Sequence, residues 1–377
     1  MNNLLLDTLI TAIKIAVVFG IVLGSVPVLV LAERKFLGWM QVRPGPNRVG
    51  PWGLLQTIVD AVKLFFKENV IPGSVDRPVY HLAPILVLVP ALIVSTVIPF
   101  GPVIEIAEQR ISLSIADLDL GLVFVFAISS LTIYGIVLAG WSSNNKWSLL
   151  GGLRSSAQMV SYELTLALSV VGVLLLAGTF NLREIVDQQR GGFWCWNLVG
   201  QPLGFMLFFL SGIAETNRLP FDLPEGESEL TGGYHTEYSS MRFAMFFMAE
   251  YANVFLMSAI ITTLFLGGYH PPFAYRFGAT WLDGLIGFGL FLGKVGALVA
   301  VFIWIRGTLP RLRYDQLMAL GWKVMLPLAF FNLFATAILL AVLERPWWAM
   351  CGVGLAVLVL TDVVLSRVFW RRRRAAG

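Results

Sequence analysis

Apolar and polar positions along this chain alternate on a long scale. Runs of roughly 18 or more mostly apolar residues recur near 8–32, 82–100, 121–141, 157–177, 198–214, 241–267, 285–305, 324–343 and 348–369, each about the length a helix needs to cross a bilayer core. The pattern predicts an all-α, polytopic membrane protein of about nine transmembrane helices, forming a single integral membrane domain over 1–377. The first run has no basic residue before it and no small-residue cleavage site after it, so it reads as a retained first helix, not a signal peptide. Small residues four apart, Gly20/Gly24 and Gly289/Gly293, predict close helix packing.

Between the first two runs, 33–81 is not ordinary loop. PGPNRVGPWG (44–53) is dense in turn residues, and WGLLQTIVDAVKLFFKE then places Gln56, Asp60, Lys63 and Lys67 at intervals of four, three and four. That spacing makes one polar stripe on an otherwise apolar helix. At about 1.5 Å per residue the helix is too short to cross, so it is expected to lie in the interface or under another subunit.

Charge orients the whole. Numbering the connections alternately, Lys and Arg fall twenty on one side against five on the other, the five being Arg110, Arg183, Arg190, Arg276 and Arg345. Basic residues concentrate on the side that is not translocated, which predicts an outside N-terminus, a cytoplasmic C-terminus and two cytoplasmic loops at 33–81 and 214–240. The last helix and basic tail, 348–377, end in Arg371–Arg374, read as a stop signal and lipid-headgroup anchor.

Composition, at 57% hydrophobic and 13% charged, excludes an ordinary soluble domain. Two distant cysteines and three scattered histidines (His81, His235, His270) support neither a zinc nor an iron–sulfur site, and no phosphate-binding glycine pattern follows a strand-like run. Any electron carrier is therefore expected on a partner.

Against so apolar a background the ionisable residues at membrane depth stand out. Lys14 lies near enough to one end of its run to snorkel. Glu163, in SYELTLA, and Glu250, in AMFFMAEYANV, do not snorkel easily, and Lys294 near the middle of its run calls for an anionic partner. The loop AETNRLPFDLPEGESEL carries Glu215, Asp222, Glu225, Glu227 and Glu229, with Glu237 shortly after. Carboxylates held close together in a low dielectric cannot all ionise, so some keep protons near neutral pH and pass them through water. A line of them from a loop to mid-membrane has the form of a proton relay, and LPFDLP within that loop looks built to pack.

ERKFLGWMQVRPGPNRVGPWGLLQTIVDAVKLFFKE, KWSLLGGLRSSAQMVSYEL, AETNRLPFDLPEGESELTGGYHTEYSSMRFAMFFMAEY and RGTLPRLRYDQLMALGWK together resemble the H subunits of bacterial respiratory NADH:quinone oxidoreductase, complex I, over about Glu33–Pro327. The resemblance implies a component of the bacterial inner membrane that binds no cofactor of its own, with FMN and iron–sulfur clusters in partner subunits and quinone as substrate. It implies contacts with hydrophilic quinone-site and iron–sulfur subunits, small membrane-arm subunits and antiporter-like subunits. It places Arg34, Arg48, Asp60 and Arg306 along a quinone passage, with Arg311, Arg313 and Asp315 organising its cytoplasmic side. Glu163, Glu215, Glu225, Glu227, Glu237 and Glu250, together with Lys294, would form the proton relay. Some relatives carry a further Glu in the third span, where this chain reads FAISSLTIYG with Ser129 and Ser130. Alternative readings are the related component of a membrane-bound hydrogenase or formate-oxidising complex, and, from another class, a free-standing ion transporter.

Overall fold

In the computed structural model the described residues run from 2 to 375 apart from 107–108, 223–231, 276, 278–279 and 344–346; side chains are described for 8–361 outside those gaps and outside 106 and 109–110. Helices dominate: α1 (Asn2–Met40), α2 (Gln56–Phe66), α3 (Arg77–Val94), α4 (Gly121–Ser129), α5 (Leu131–Ser142), α6 (Lys146–Ala177), α7 (Leu182–Gln188), α8 (Asn197–Gly200), α9 (Pro202–Glu215), α10 (Ser240–Phe265), α11 (Trp281–Thr308), α12 (Tyr314–Leu320), α13 (Leu326–Val342) and α14 (Trp347–Ala375). The strands among the described residues are a two-stranded antiparallel hairpin, β1 (Ile104–Ile106) with β2 (Gln109–Ile111).

Among the described residues, seven helical segments are long and apolar enough to cross a membrane, the third formed by α4 and α5 in succession. The eighth predicted run is α13, which a π-helical segment, Gly321–Met325, joins to α12. The fifth is not one continuous helix. It breaks at Gln201, whose amide nitrogen donates to Thr336 Oγ1 at 2.9 Å and whose oxygen accepts from Asn332 at 3.0 Å. The remaining α9, at 14 residues, is about 21 Å long, short of the hydrocarbon thickness. It is buried on most sides by α6 and its neighbours, so protein and not lipid covers its ends. Beyond 361 only the backbone of α14 is described, so the side chains of the basic tail lie outside the described residues.

The paired glycines need correcting. A Cβ at Gly20, Gly24, Gly289 or Gly293 would meet nothing within 4 Å, so these faces turn away from the bundle. Close approach falls elsewhere: a Cβ on Gly135 would lie 2.5 Å from Val87 Cγ2, where α5 crosses α3. A period of four marks a face of a helix without saying which neighbour covers it.

The connections separate into two ends, as alternation requires. At one end, Ser240 Oγ donates to the Leu64 and Lys67 carbonyls that close α2, Asn144 donates to Ser74 O, and Leu312 N to Pro220 O. At the other, Asn181 donates to Asp117, Phe193 N to Pro272 O, and Gln189 to Thr263 O. The turn-rich stretch before α2 depends on Gly53, at φ 75°, where a Cβ would lie 2.1 Å from the Pro46 carbonyl oxygen.

Candidate functional site

The amphipathic helix decides the shape of the site. Its polar stripe faces α1: Arg34 donates to Asp60 Oδ2 and Gln56 donates to Asp60 Oδ1 at 3.1 Å. Its other faces leave Ile58, Val59 and Phe66 exposed, available to lipid or another subunit. Between α1, α2 and α10 lies a chamber of about 670 Å³. Val26, Val30 and Arg34 line it from α1 at helical spacing, Asp60, Ala61 and Leu64 from α2, and Ala244, Phe247 and Met248 from α10. Pro27 on the same wall removes a backbone donor from α1. The chamber is apolar with one ion pair at its rim, the make-up of a site for an amphiphile with a polar head. Burial works to raise the Asp60 carboxyl, but the hydrogen bonds from Arg34 and Gln56 and the charges of Arg34 and Lys63 hold it below its ordinary range.

One residue earlier on α1, and about 100° round the helix, the surroundings reverse. Glu33, 8% exposed, accepts from Arg306 and, at 3.4 Å, from Arg218 Nη1. Arg218 Nε lies 2.8 Å from Glu250 Oε1, and its guanidinium stacks 4.0 Å above the Tyr251 ring. Burial works against the Arg218 charge; Glu250, Tyr251 and Glu33 outweigh it and keep the group protonated. The result is an alternating cluster of Arg306, Glu33, Arg218 and Glu250, beside a cavity of about 20 Å³ with room for about one water molecule. Neither Glu33 nor Arg218 was among the residues the sequence singled out. The available signal was position alone: each lies at the end of an apolar run, next to further polar residues.

Behind α9 the other acids gather. Glu163 and Glu215 lie close enough for their charges to act on each other, and Glu215 Oε2 is buried without a hydrogen-bond partner among the described residues. Glu215 lines a second small cavity, about 30 Å³, with Ser129, Thr132 and Asn253. Hydroxyls thus meet a carboxylate at the third span. α6 anchors the start of the acidic loop: Gln158 Nε2 donates to Ala214 O at 2.7 Å and to Phe221 O at 2.8 Å, and Phe221 packs against Tyr162. Glu237 accepts from Asn145 at 2.7 Å near the start of α10.

The remaining positions are dispersed. Arg48 is exposed on the loop before α2, and Arg313 and Asp315 are exposed at the start of α12 with Arg311 partly buried beside them. Arg306 turns to Glu33 and away from the chamber wall. Glu225, Glu227 and Glu229 lie outside the described residues. The anionic partner expected for Lys294 is replaced by carbonyls. Its ammonium donates to Leu266 O (2.6 Å), Gly268 O (2.9 Å) and His270 O (2.5 Å), over the Trp196 ring at 4.2 Å. Carbonyls at a helix C-terminus carry partial negative charge, so they neutralise a buried cation without a carboxylate. Leu266 is also 16 residues along the chain from Glu250, about 24 Å of helix, so Lys294 stands at the far end from the acids. His235, partly buried between Tyr234 and Phe243, is pushed down by desolvation to about 4, with Asp222 opposing.

A family model described as NADH dehydrogenase matches residues 13–337. An NADH-quinone oxidoreductase H subunit of Koribacter versatilis (strain Ellin345), the one numbered 2, is 49% identical over 353 residues, covering 90% of this chain and 99% of that protein. The H subunit numbered 1 from Geobacter sulfurreducens is 51% identical over 340 residues, covering 87% and 94%. The H subunit from Rickettsia peacockii (strain Rustic) is 52% identical over 323 residues, covering 86% and 91%.

Proposed function

The chain belongs to the H-subunit family of NADH-quinone oxidoreductase, and from that premise we propose that the chamber between α1, α2 and α10 admits quinone from the bilayer. It is a multi-pass membrane component of an oxidoreductase complex and is not catalytic alone. The observation that carries the proposal is the Arg34–Asp60 pair at the rim of an apolar volume of about 670 Å³. An isoprenoid tail suits the apolar walls, and a quinone's carbonyl oxygens suit the guanidinium.

Electrons reach the quinone from partner subunits that hold FMN and iron–sulfur clusters, and reduction to quinol takes up two electrons and two protons. Protons and the accompanying charge shift involve the acids behind α1. Since Arg34 and Glu33 share the last turns of one helix, a change at the chamber rim moves the end of α1 and alters the contacts of Glu33 with Arg306 and Arg218. From there Glu250, with Glu163, Glu215 and Glu237 and the acids Glu225 and Glu227 of the loop, links to antiporter-like subunits. The chain sits in the bacterial inner membrane with its N-terminus outside and the Arg34 end cytoplasmic, facing the hydrophilic quinone-site and iron–sulfur subunits.

Ala244→Trp, which fills the chamber from α10, tests the access route. The KM for a long-tailed quinone is expected to rise about tenfold, the scale of one steric misfit in an apolar pocket. NADH oxidation by an artificial acceptor that takes electrons upstream stays unchanged; unaltered quinone kinetics would remove the chamber from the reaction. Glu163→Gln and Glu250→Gln are expected to keep NADH oxidation and lose proton pumping in reconstituted vesicles. Full pumping in both separates the acids from the coupling.

A further inference from the structure

A second groove, of about 200 Å³, shares no lining residue with the quinone chamber and lies nearer the N-terminal end of α1, where Val17 and Ile21 face Phe100, Leu113 and Phe288. Ile13 and Val17 are each 54% exposed, so its open side faces outward from the bundle. At its edge is Lys14, partly buried and, unlike Lys294, without a hydrogen-bond or ion-pair partner among the described residues. The wall behind it adds more positive charge. Ser114, which also lines the groove, accepts from Arg183 Nη2 at 2.7 Å, and the Arg183 charge reaches Lys14. Asp117, 3.2 Å from Arg183, balances one of the two cations and leaves the other.

Depth indicates which chemistry Lys14 is placed to meet. Lys14 and Arg34 are 20 residues apart on one helix, about 30 Å, which is the thickness of the hydrocarbon core. With Arg34 at one interface, Lys14 stands at the level of the headgroup phosphates of the opposite leaflet. We infer that this groove binds an anionic phospholipid, with the phosphate on Lys14 and an acyl chain along the face formed by Val17, Ile21, Phe100, Leu113 and Phe288. Free phosphate would leave the apolar floor uncovered, and an uncharged quinone head would leave Lys14 uncompensated. The inference is independent of the quinone reading: Arg34 enters it only as a mark of depth along α1, and no other chamber residue is used.

The test uses the intact, lipid-depleted complex in mixed micelles with phosphatidylglycerol or phosphatidylcholine carrying a photoreactive acyl chain, followed by mapping of the labelled peptides. Phosphatidylglycerol is expected to label the peptides containing Val17 and Leu113 about fivefold more than phosphatidylcholine, the factor one interfacial cation supplies. Lys14→Gln removes that preference and Lys14→Arg keeps it, while NADH oxidation by the upstream acceptor stays as in the parent complex. Equal labelling by the two lipids, or an unchanged preference in Lys14→Gln, overturns the inference. So does displacement of the anionic label by inorganic phosphate alone, which would mark a simple anion site. Should Lys14→Gln not assemble, the parent complex decides: the preference falls with rising salt if the ammonium holds the headgroup, and a salt-independent preference overturns it.

Discussion

Glu33 and Arg34 are neighbours in sequence and opposites in surroundings. Arg34 pairs with Asp60 at the rim of the chamber, the two side chains 44% and 34% exposed, while Glu33 pairs with Arg306 and Arg218 in the interior. In the first pair solvent screens the charges, so the contact sets geometry and contributes under about 1 kcal/mol of stability. In the second each charge is tolerable only because the next is present. One helix end therefore carries a contact that costs little to break on one side and one that costs much to break on the other.

The buried side gives the largest expected effect. Arg218→Met leaves Glu33 and Glu250 facing each other without the guanidinium, and removal of one member of a buried ionic group costs about 3–5 kcal/mol. The complex is expected to lose this chain or to melt well below the parent. Arg34→Met, tested by the same melting measurement, should fall within about 1 kcal/mol of the parent. Equal losses from the two substitutions would erase the distinction between rim and interior.

Much of this architecture was legible in the chain itself. The long apolar runs marked the helices, and the four-three-four spacing of Gln56, Asp60, Lys63 and Lys67 marked a stripe that does face α1 through Asp60. Alternating connections anticipated the two ends at which the loops collect. Less legible were features set by which neighbour lies opposite. A carboxylate at the end of a run reads the same whether it meets water or Arg218, so nothing in the pattern singled out Glu33. Lys294 appeared to need an acid because carbonyls at a helix end leave no mark in composition. α6 begins 11 residues before its apolar run, at Lys146, since its small residues there pack on the loop before α10: a Cβ on Gly151 would lie 2.7 Å from Gly233 Cα. The hairpin strands, at three residues each, are too short to show a period.

His235 sharpens the comparison as a third case, a partly buried group kept neutral. Its folded value of about 4 lies below the ordinary 6.5, so between those values the unfolded chain binds a proton that the folded chain refuses. Stability from this group is complete above about pH 6.5 and declines as pH falls toward 4, by up to about 3 kcal/mol. His235→Phe should therefore flatten the fall in melting temperature between pH 7 and 5. A slope identical to the parent's would mean that the imidazole charges in place.

The smallest stability effect and the most specific functional one belong to Asp60. Its carboxyl is held below the ordinary carboxylate range, so what the Arg34 contact contributes is present above that range and lost only as pH falls through the folded value. Across neutral pH the rim stays closed on Arg34. Asp60→Asn is expected to leave the melting temperature nearly unchanged, the pair being too exposed to contribute more than about 1 kcal/mol, yet to free Arg34 and raise the KM for quinone. Taking the parent complex from pH 8 to 6 should not reproduce that rise, because the carboxylate remains ionised throughout. If the parent's KM climbs toward that of Asp60→Asn over this interval, Asp60 is titrating in the working range, and the rim is not the screened, permanently ionised contact that sets it apart from the interior.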